Sequence, residues 1–90
     1  MIMKSPRQLE RHFKGAANHW RIAILLFVER NEGVTAGNLA RLLSANLKTI
    51  SQHTSSLVRA GLLNKQYRGR QVIHSLSPYG KSFVKFIKTF

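Results

Sequence analysis

Apolar residues recur along this chain in blocks whose period changes, and the changes mark its elements. Ser5-Pro6 has the form of an N-cap followed by proline at the first helical position. The helix it opens carries Leu9 and Phe13 one turn apart and is expected to stop near Gly15. Asn18 is placed to cap a second helix reaching about Arg30. Trp20, Ile22, Ala23, Ile24, Leu25, Leu26, Phe27 and Val28 leave that helix little polar surface, so it is expected to be the buried core. Gly33 breaks it, and Val34 fits a very short strand. Thr35 is the next N-cap, and Ala36, Leu39, Ala40 and Leu43 follow at the three-and-four spacing of an amphipathic helix. After the tight connection Ser44-Ala45-Asn46, Asn46 caps a helix from Leu47 to about Ala60, which Gly61 ends.

The period then shortens. Leu62 to Tyr67 and Gln71 to Leu76 read as two strands joined through Arg68-Gly69-Arg70, where glycine supplies the positive φ that a hairpin turn wants. Ser77-Pro78 repeats the cap-plus-proline signal. In the helix it opens, Tyr79, Phe83, Phe86, Ile87 and Phe90 line one face, and Lys81, Lys85 and Lys88 lie opposite. The expected fold is mainly α with a small β-hairpin, in the order α-α-(short β)-α-α-β-β-α. No repeat or linker interrupts it, so residues 1–90 are expected to form a single domain.

Charge narrows the class of partner. Fifteen Lys and Arg face three acids, for a net charge of +12. The acids are Glu10, Glu29 and Glu32; from Gly33 to Phe90 there is none, while Arg41, Lys48, Arg59, Lys65, Arg68, Arg70, Lys81, Lys85 and Lys88 all lie there. So one-sided a body repels itself, a cost that makes sense when the partner is a polyanion; the alternative is charge tuned for solubility. There is no cysteine, which removes disulfides, thiolate metal sites and cysteine nucleophiles and suits a reducing cytoplasm. The longest apolar run, Ile22 to Val28, is far short of the ~20 residues of a membrane helix, and Met1 to Lys14 lacks the apolar stretch of a signal peptide. A soluble, cytoplasmic protein is expected.

The chemistry gathers between Thr35 and Leu76. Two short helices joined by a tight turn are the sequence form of a helix-turn-helix. On the second, Ile50, Thr54, Leu57 and Gly61 step along one face and are expected to pack inward. Lys48, Ser51, Gln52, Ser55 and Arg59 step along the other. Small hydroxyl side chains let a helix approach a major groove, Gln can pair with adenine, and Lys can reach guanine or phosphate. An ordinary solvated helix face would share this pattern, but the basic hairpin beside it favours DNA. Arg68 and Arg70 at its tip can meet a minor groove or phosphates, with Lys65 and Tyr67 extending the backbone contact.

Leu39 to Leu62, LARLLSANLKTISQHTSSLVRAGL, resembles the core of ArsR-type winged helix-turn-helix repressors, with MarR-type regulators as near relatives. The Leu-Ala of the first helix, the Thr-Ile-Ser-x-His centre of the second and the closing Ala-Gly-Leu carry the likeness, which continues through RGRQVIHSLS and covers about Trp20 to Ser77. The resemblance implies a cytoplasmic, nucleoid-associated prokaryotic repressor. It places Ser51 and Gln52 against base edges, Lys48 and Thr49 at the DNA-facing helix N-terminus, and Arg68 and Arg70 as wing contacts. It also implies that the terminal helices, near 5–14 and 77–90, pair across a two-fold axis. Leu9, Phe13, Phe83, Phe86, Ile87 and Phe90 then form a dimer interface that sets two recognition helices about 34 Å apart. Two positions depart from the pattern: Thr54 stands where a core leucine is usual, and Ser44 where glycine is frequent. The family's metal sensors use cysteine clusters or Asp/His sets, and this chain has neither Cys nor Asp.

The remaining titratable groups add little. His12, His19, His53 and His74 include no pair at the i, i+4 spacing of a helical metal site. His53, at the rim of the recognition helix's inner face, fits a packed, hydrogen-bonded side chain or else a pH- or metal-responsive group. Three N-terminal glutamates make no acid–base constellation, so neither catalysis nor a cofactor or metal is expected. The terminal helix, basic opposite its apolar face, also has the form of a membrane-surface helix, but no lipid-anchoring signal accompanies it. The expectation is a homodimeric, sequence-specific regulator of double-stranded DNA; the alternative is a non-specific nucleic-acid module, architectural or RNA-binding.

Overall fold

A computed structural model describes residues 3–90 of the chain. It runs α1 (Pro6–Ala16), α2 (His19–Arg30), β1 (Val34–Thr35), α3 (Ala36–Leu42), α4 (Leu47–Arg59), β2 (Leu63–Arg68), β3 (Gln71–Leu76) and α5 (Pro78–Thr89). The order and class are those expected, a winged helix-turn-helix. The hairpin is not alone, however. β1 pairs antiparallel with β3 through Val34–His74 and Thr35–Ile73, making a three-stranded sheet in the order β1-β3-β2.

Each helix starts at a side-chain oxygen that takes up a backbone N–H left without a helical partner. Ser5 accepts from Gln8 N while the Gln8 side chain returns the bond to Ser5 N, a full capping box. Asn18, Thr35, Asn46 and Ser77 cap α2, α3, α4 and α5 in turn. These bonds place the element starts where the sequence put them.

Ile24, Leu25 and Val28 of α2, Leu39 of α3, Ile50 and Leu57 of α4, Leu62, Leu63 and Val84 form the fully buried centre. α2 packs on α4, β3 and α5. It is not buried all round, as its composition suggested: Ile22 is 38% exposed and Trp20, Leu26 and Phe27 are half-buried. A domain this small has too few elements to cover every side of one helix.

α1 ends at Ala16, next to Gly15 as expected, and Gly15 has a second role. It is the point where α1 crosses the end of α4, so close that a Cβ on Gly15 would overlap that of Ala60. His12 adds a bond from its Nδ1 to the Ala60 carbonyl at 2.7 Å. On α5 Gly80 and Val84 face inward, and the aromatic row beside them turns partly outward. Of the two departures from the ArsR-type pattern, Thr54 is buried, its hydroxyl donating to the Ser51 carbonyl at 3.0 Å on its own helix. Ser44 takes the left-handed backbone (φ 51°) in the turn between α3 and α4.

Candidate nucleic-acid interface

α4 divides its residues sharply. Ile50, Thr54 and Leu57 face the core, while Lys48, Gln52, Ser55 and Arg59 are exposed and Thr49 and Ser51 half-buried. Among the described residues, the Ser51, Gln52 and Ser55 side chains have no hydrogen-bond partner inside the protein. Their donors and acceptors remain free for something else. The Asn46 cap holds the Lys48 N–H at 2.7 Å and so fixes the end of the helix where Lys48 and Thr49 stand.

The wing lies beside this helix. β2 and β3 pair in register from Leu63–Leu76 to Arg68–Gln71, so the link is only Gly69-Arg70 and Arg68 ends the strand. Gly69 is in the left-handed region (φ 63°) and Arg70 is not, which is the type II′ arrangement compatible with strand twist. Lys65, Tyr67, Arg68 and Arg70 are all exposed, with the Lys65 Nζ 6.0 Å from the centre of the Tyr67 ring. The acids lie elsewhere. Glu10 pairs with Lys14 on α1 at 3.4 Å, and Glu29 with Lys88 of α5 at 3.0 Å. Glu32 shares a groove with Glu29, Lys81 and Lys85. The field over α4 and the wing is therefore positive and uncompensated.

Arg21, absent from the sequence expectations, enters this surface from α2. It lines one shallow groove with Lys48, Ser51, Gln52, His53, Ser55, Ser56 and Arg59. Its Nε donates to His53 Nδ1 at 3.1 Å. His53 is thus half-buried and hydrogen-bonded, the first of the two roles its position allowed. Burial foremost, then the charges of Arg21 and His19, holds its imidazole below the ordinary pKa. Nothing in the periodicity of α2 signals Arg21, because its neighbourhood is made by packing against α4.

α1 and α5 bring the expected interface residues together. Phe13 stands 5.5 Å from Phe83 and 6.5 Å from Phe86, ring centre to ring centre, and Phe86 stands 5.8 Å from Phe90. Leu9, Phe13, Phe86 and Phe90 are exposed, Phe83 and Ile87 half-buried. Among the described residues no three His, Cys, Asp or Glu side chains converge as metal ligands, and no helix is long and apolar enough to cross a membrane.

No protein-family profile matches the sequence, and no curated protein matches it. Solved structures do. HlyU from Vibrio cholerae superposes with a TM-score of 0.84 at 26% identity, covering 96% of this chain and 94% of that one. The transcriptional regulator HlyU from Vibrio vulnificus gives 0.79 at 25% identity, over 92% and 86%. A homodimeric winged helix-turn-helix DNA-binding domain from Mycobacterium bovis, a possible ArsR-family regulator, gives 0.83 at 21% identity, over 99% and 88%. The chain has the ArsR-type winged helix-turn-helix fold. The Vibrio vulnificus neighbour is a transcriptional regulator and the Mycobacterium bovis one a DNA-binding domain. Within this ArsR-type frame α3 and α4 are the helix-turn-helix and β2–β3 the wing.

Proposed function

We propose that this chain is a homodimeric, sequence-specific regulator of double-stranded DNA, a repressor acting on the nucleoid in a prokaryotic cytoplasm. One observation carries the reading: α4 turns an uncharged flank with free hydrogen-bonding groups, Ser51, Gln52 and Ser55, outward between cations. Ser51, Gln52 and Ser55 read base edges in the major groove, and Lys48, Thr49 and Arg59 hold the strands beside them. Lys65, Arg68 and Arg70 of the wing take the minor groove or backbone. Leu9, Phe13, Phe83, Phe86, Ile87 and Phe90 close a two-fold interface between α1 and α5 of two protomers. The homodimeric state of the Mycobacterium bovis domain supports this assembly.

The test is selection from a random duplex library with the purified protein, followed by affinity measurement at one fixed salt concentration. A regulator enriches two-fold symmetric sites and binds the best of them about 10³-fold or more above random duplex. Equal affinity for all duplexes would make the protein architectural, and preference for single strands or RNA would make it an RNA-binding module.

A further inference from the structure

Arg21 reaches the α4 surface from an element that neither the helix-turn-helix nor the wing includes. At about 100° per residue, His53 and Ser56 turn to one side of the Lys48–Gln52–Arg59 line and Val58 to the other. Val58 lines a groove with Asn64, Lys65 and Gln66, so that side belongs to the wing. His53 and Ser56 lie with Arg21 on the α2 side.

A guanidinium has five N–H donors and no acceptor. Arg21 uses Nε on His53 Nδ1 at 3.1 Å and one terminal nitrogen on the Gly15 carbonyl at 3.2 Å. Because arginine only donates, His53 Nδ1 must present a lone pair and its ring hydrogen sits on Nε2. The rest of the fork remains open, and no carboxylate lines the groove to neutralise it. An arginine anchored at two nitrogens has already lost much of the rotamer freedom that a phosphate contact would otherwise cost. We propose that Arg21 is a DNA-backbone contact on the flank of α4 opposite the wing, with His53 as its positioning residue. The recognition helix is then gripped from both sides. This rests on the DNA reading above, and the rival is that Arg21 only pins α2 to α4 and to the end of α1.

Each phosphate neutralised contributes about 0.9 to the slope of log affinity against log salt on duplex DNA, which a purely structural arginine does not. The probe is a mixed-sequence duplex of about 30 base pairs, titrated by fluorescence anisotropy with the full chain between about 50 and 200 mM salt. Arg21→Ala and Arg21→Gln are expected to flatten the slope by about 0.9 for each protomer, about 1.8 for the dimer, while Arg21→Lys, which keeps the charge, retains it. His53→Ala is expected to weaken binding by about 3- to 10-fold through loss of positioning. His53→Asn, whose amide oxygen falls near the place of Nδ1, restores it. Unchanged slopes in the Arg21 variants, with a flatter one in Arg70→Ala, overturn the inference and leave the DNA reading standing. No binding by the wild type, or no change in any of these variants, sinks the DNA reading itself. Should Arg21→Ala and Arg21→Gln unfold, the wild type decides: the Arg21 Nε–H resonance must shift when duplex is added. If it stays fixed while the Lys48 amide moves, Arg21 is only a pin.

Discussion

Replacing Phe86 by serine should split the proposed dimer without unfolding the protomer. Phe86 is 48% exposed and sits among Phe13, Phe83 and Phe90. A phenylalanine has roughly 200 Å² of burial to offer, so about 100 Å² of this one faces solvent in a lone protomer. Covered by a partner, that area is worth about 2.5 kcal/mol at about 25 cal/mol per Å². A two-fold axis uses the same patch twice, for about 5 kcal/mol per dimer. Serine keeps its Cβ and neighbouring rings close over part of the gap, so about 3–4 kcal/mol of loss is expected. That is a dissociation constant raised about 10²- to 10³-fold. Sedimentation equilibrium over a concentration series reads it directly, with far-UV circular dichroism to check the fold. Lys85→Ser, on the opposite side of α5, should leave the constant unchanged. A wild-type chain that is monomeric throughout, or a serine variant that dimerises as tightly as the wild type, would refute the assignment of this face.

The other predictions concern the DNA surface and the strain and protonation built into the fold. Gln52→Ala should cost about 1–3 kcal/mol at particular base positions of a selected site, and Arg70→Ala should weaken most duplexes and flatten the salt dependence. Uniform loss in both variants, measured across a panel of single-base substitutions, would rule out base readout by α4. Ser44→Gly should raise stability by up to about 1 kcal/mol, because glycine meets the left-handed turn without a Cβ, while Ser44→Val should lower it; urea melts measure both. His74 is buried between β1 and β2, opposite Val34 and Lys65. Burial, reinforced by Lys65, outweighs its bond to the Val34 carbonyl and holds its pKa below the model-peptide value of 6.5. The unfolded chain therefore binds the proton more readily. Stability should be full above about pH 6.5 and fall as the pH drops through the lower folded pKa. Flat urea midpoints between about pH 7.5 and 5, or a His74→Gln variant as pH-sensitive as the wild type, would contradict that cause.

Much of the architecture could be read from local chemistry. Caps at Ser5, Asn18, Thr35, Asn46 and Ser77 act within one helical turn, so each announces its own helix wherever the chain later goes. The split of α4 into Ile50–Thr54–Leu57 and Lys48–Gln52–Ser55 is likewise a property of a 3.6-residue period. Gly69 between two arginines suffices for a tight, basic hairpin tip. The aromatic residues of α1 and α5 were visible as surplus apolar surface for so short a chain.

What tertiary structure decided are meetings between residues far apart in sequence. Gly15, one residue before the end of α1, is also where that helix crosses Ala60, while Gly80 lets α5 sit against the Leu62 backbone. Those two crossings set the aromatic faces relative to α4. Arg21 lay unnoticed in an apolar helix until α2 packed on α4 and set its guanidinium against His53. Caps and periods are short-range, made within a turn or a strand pair. Which side chains share a surface depends on how whole elements cross, and a single element carries no record of that.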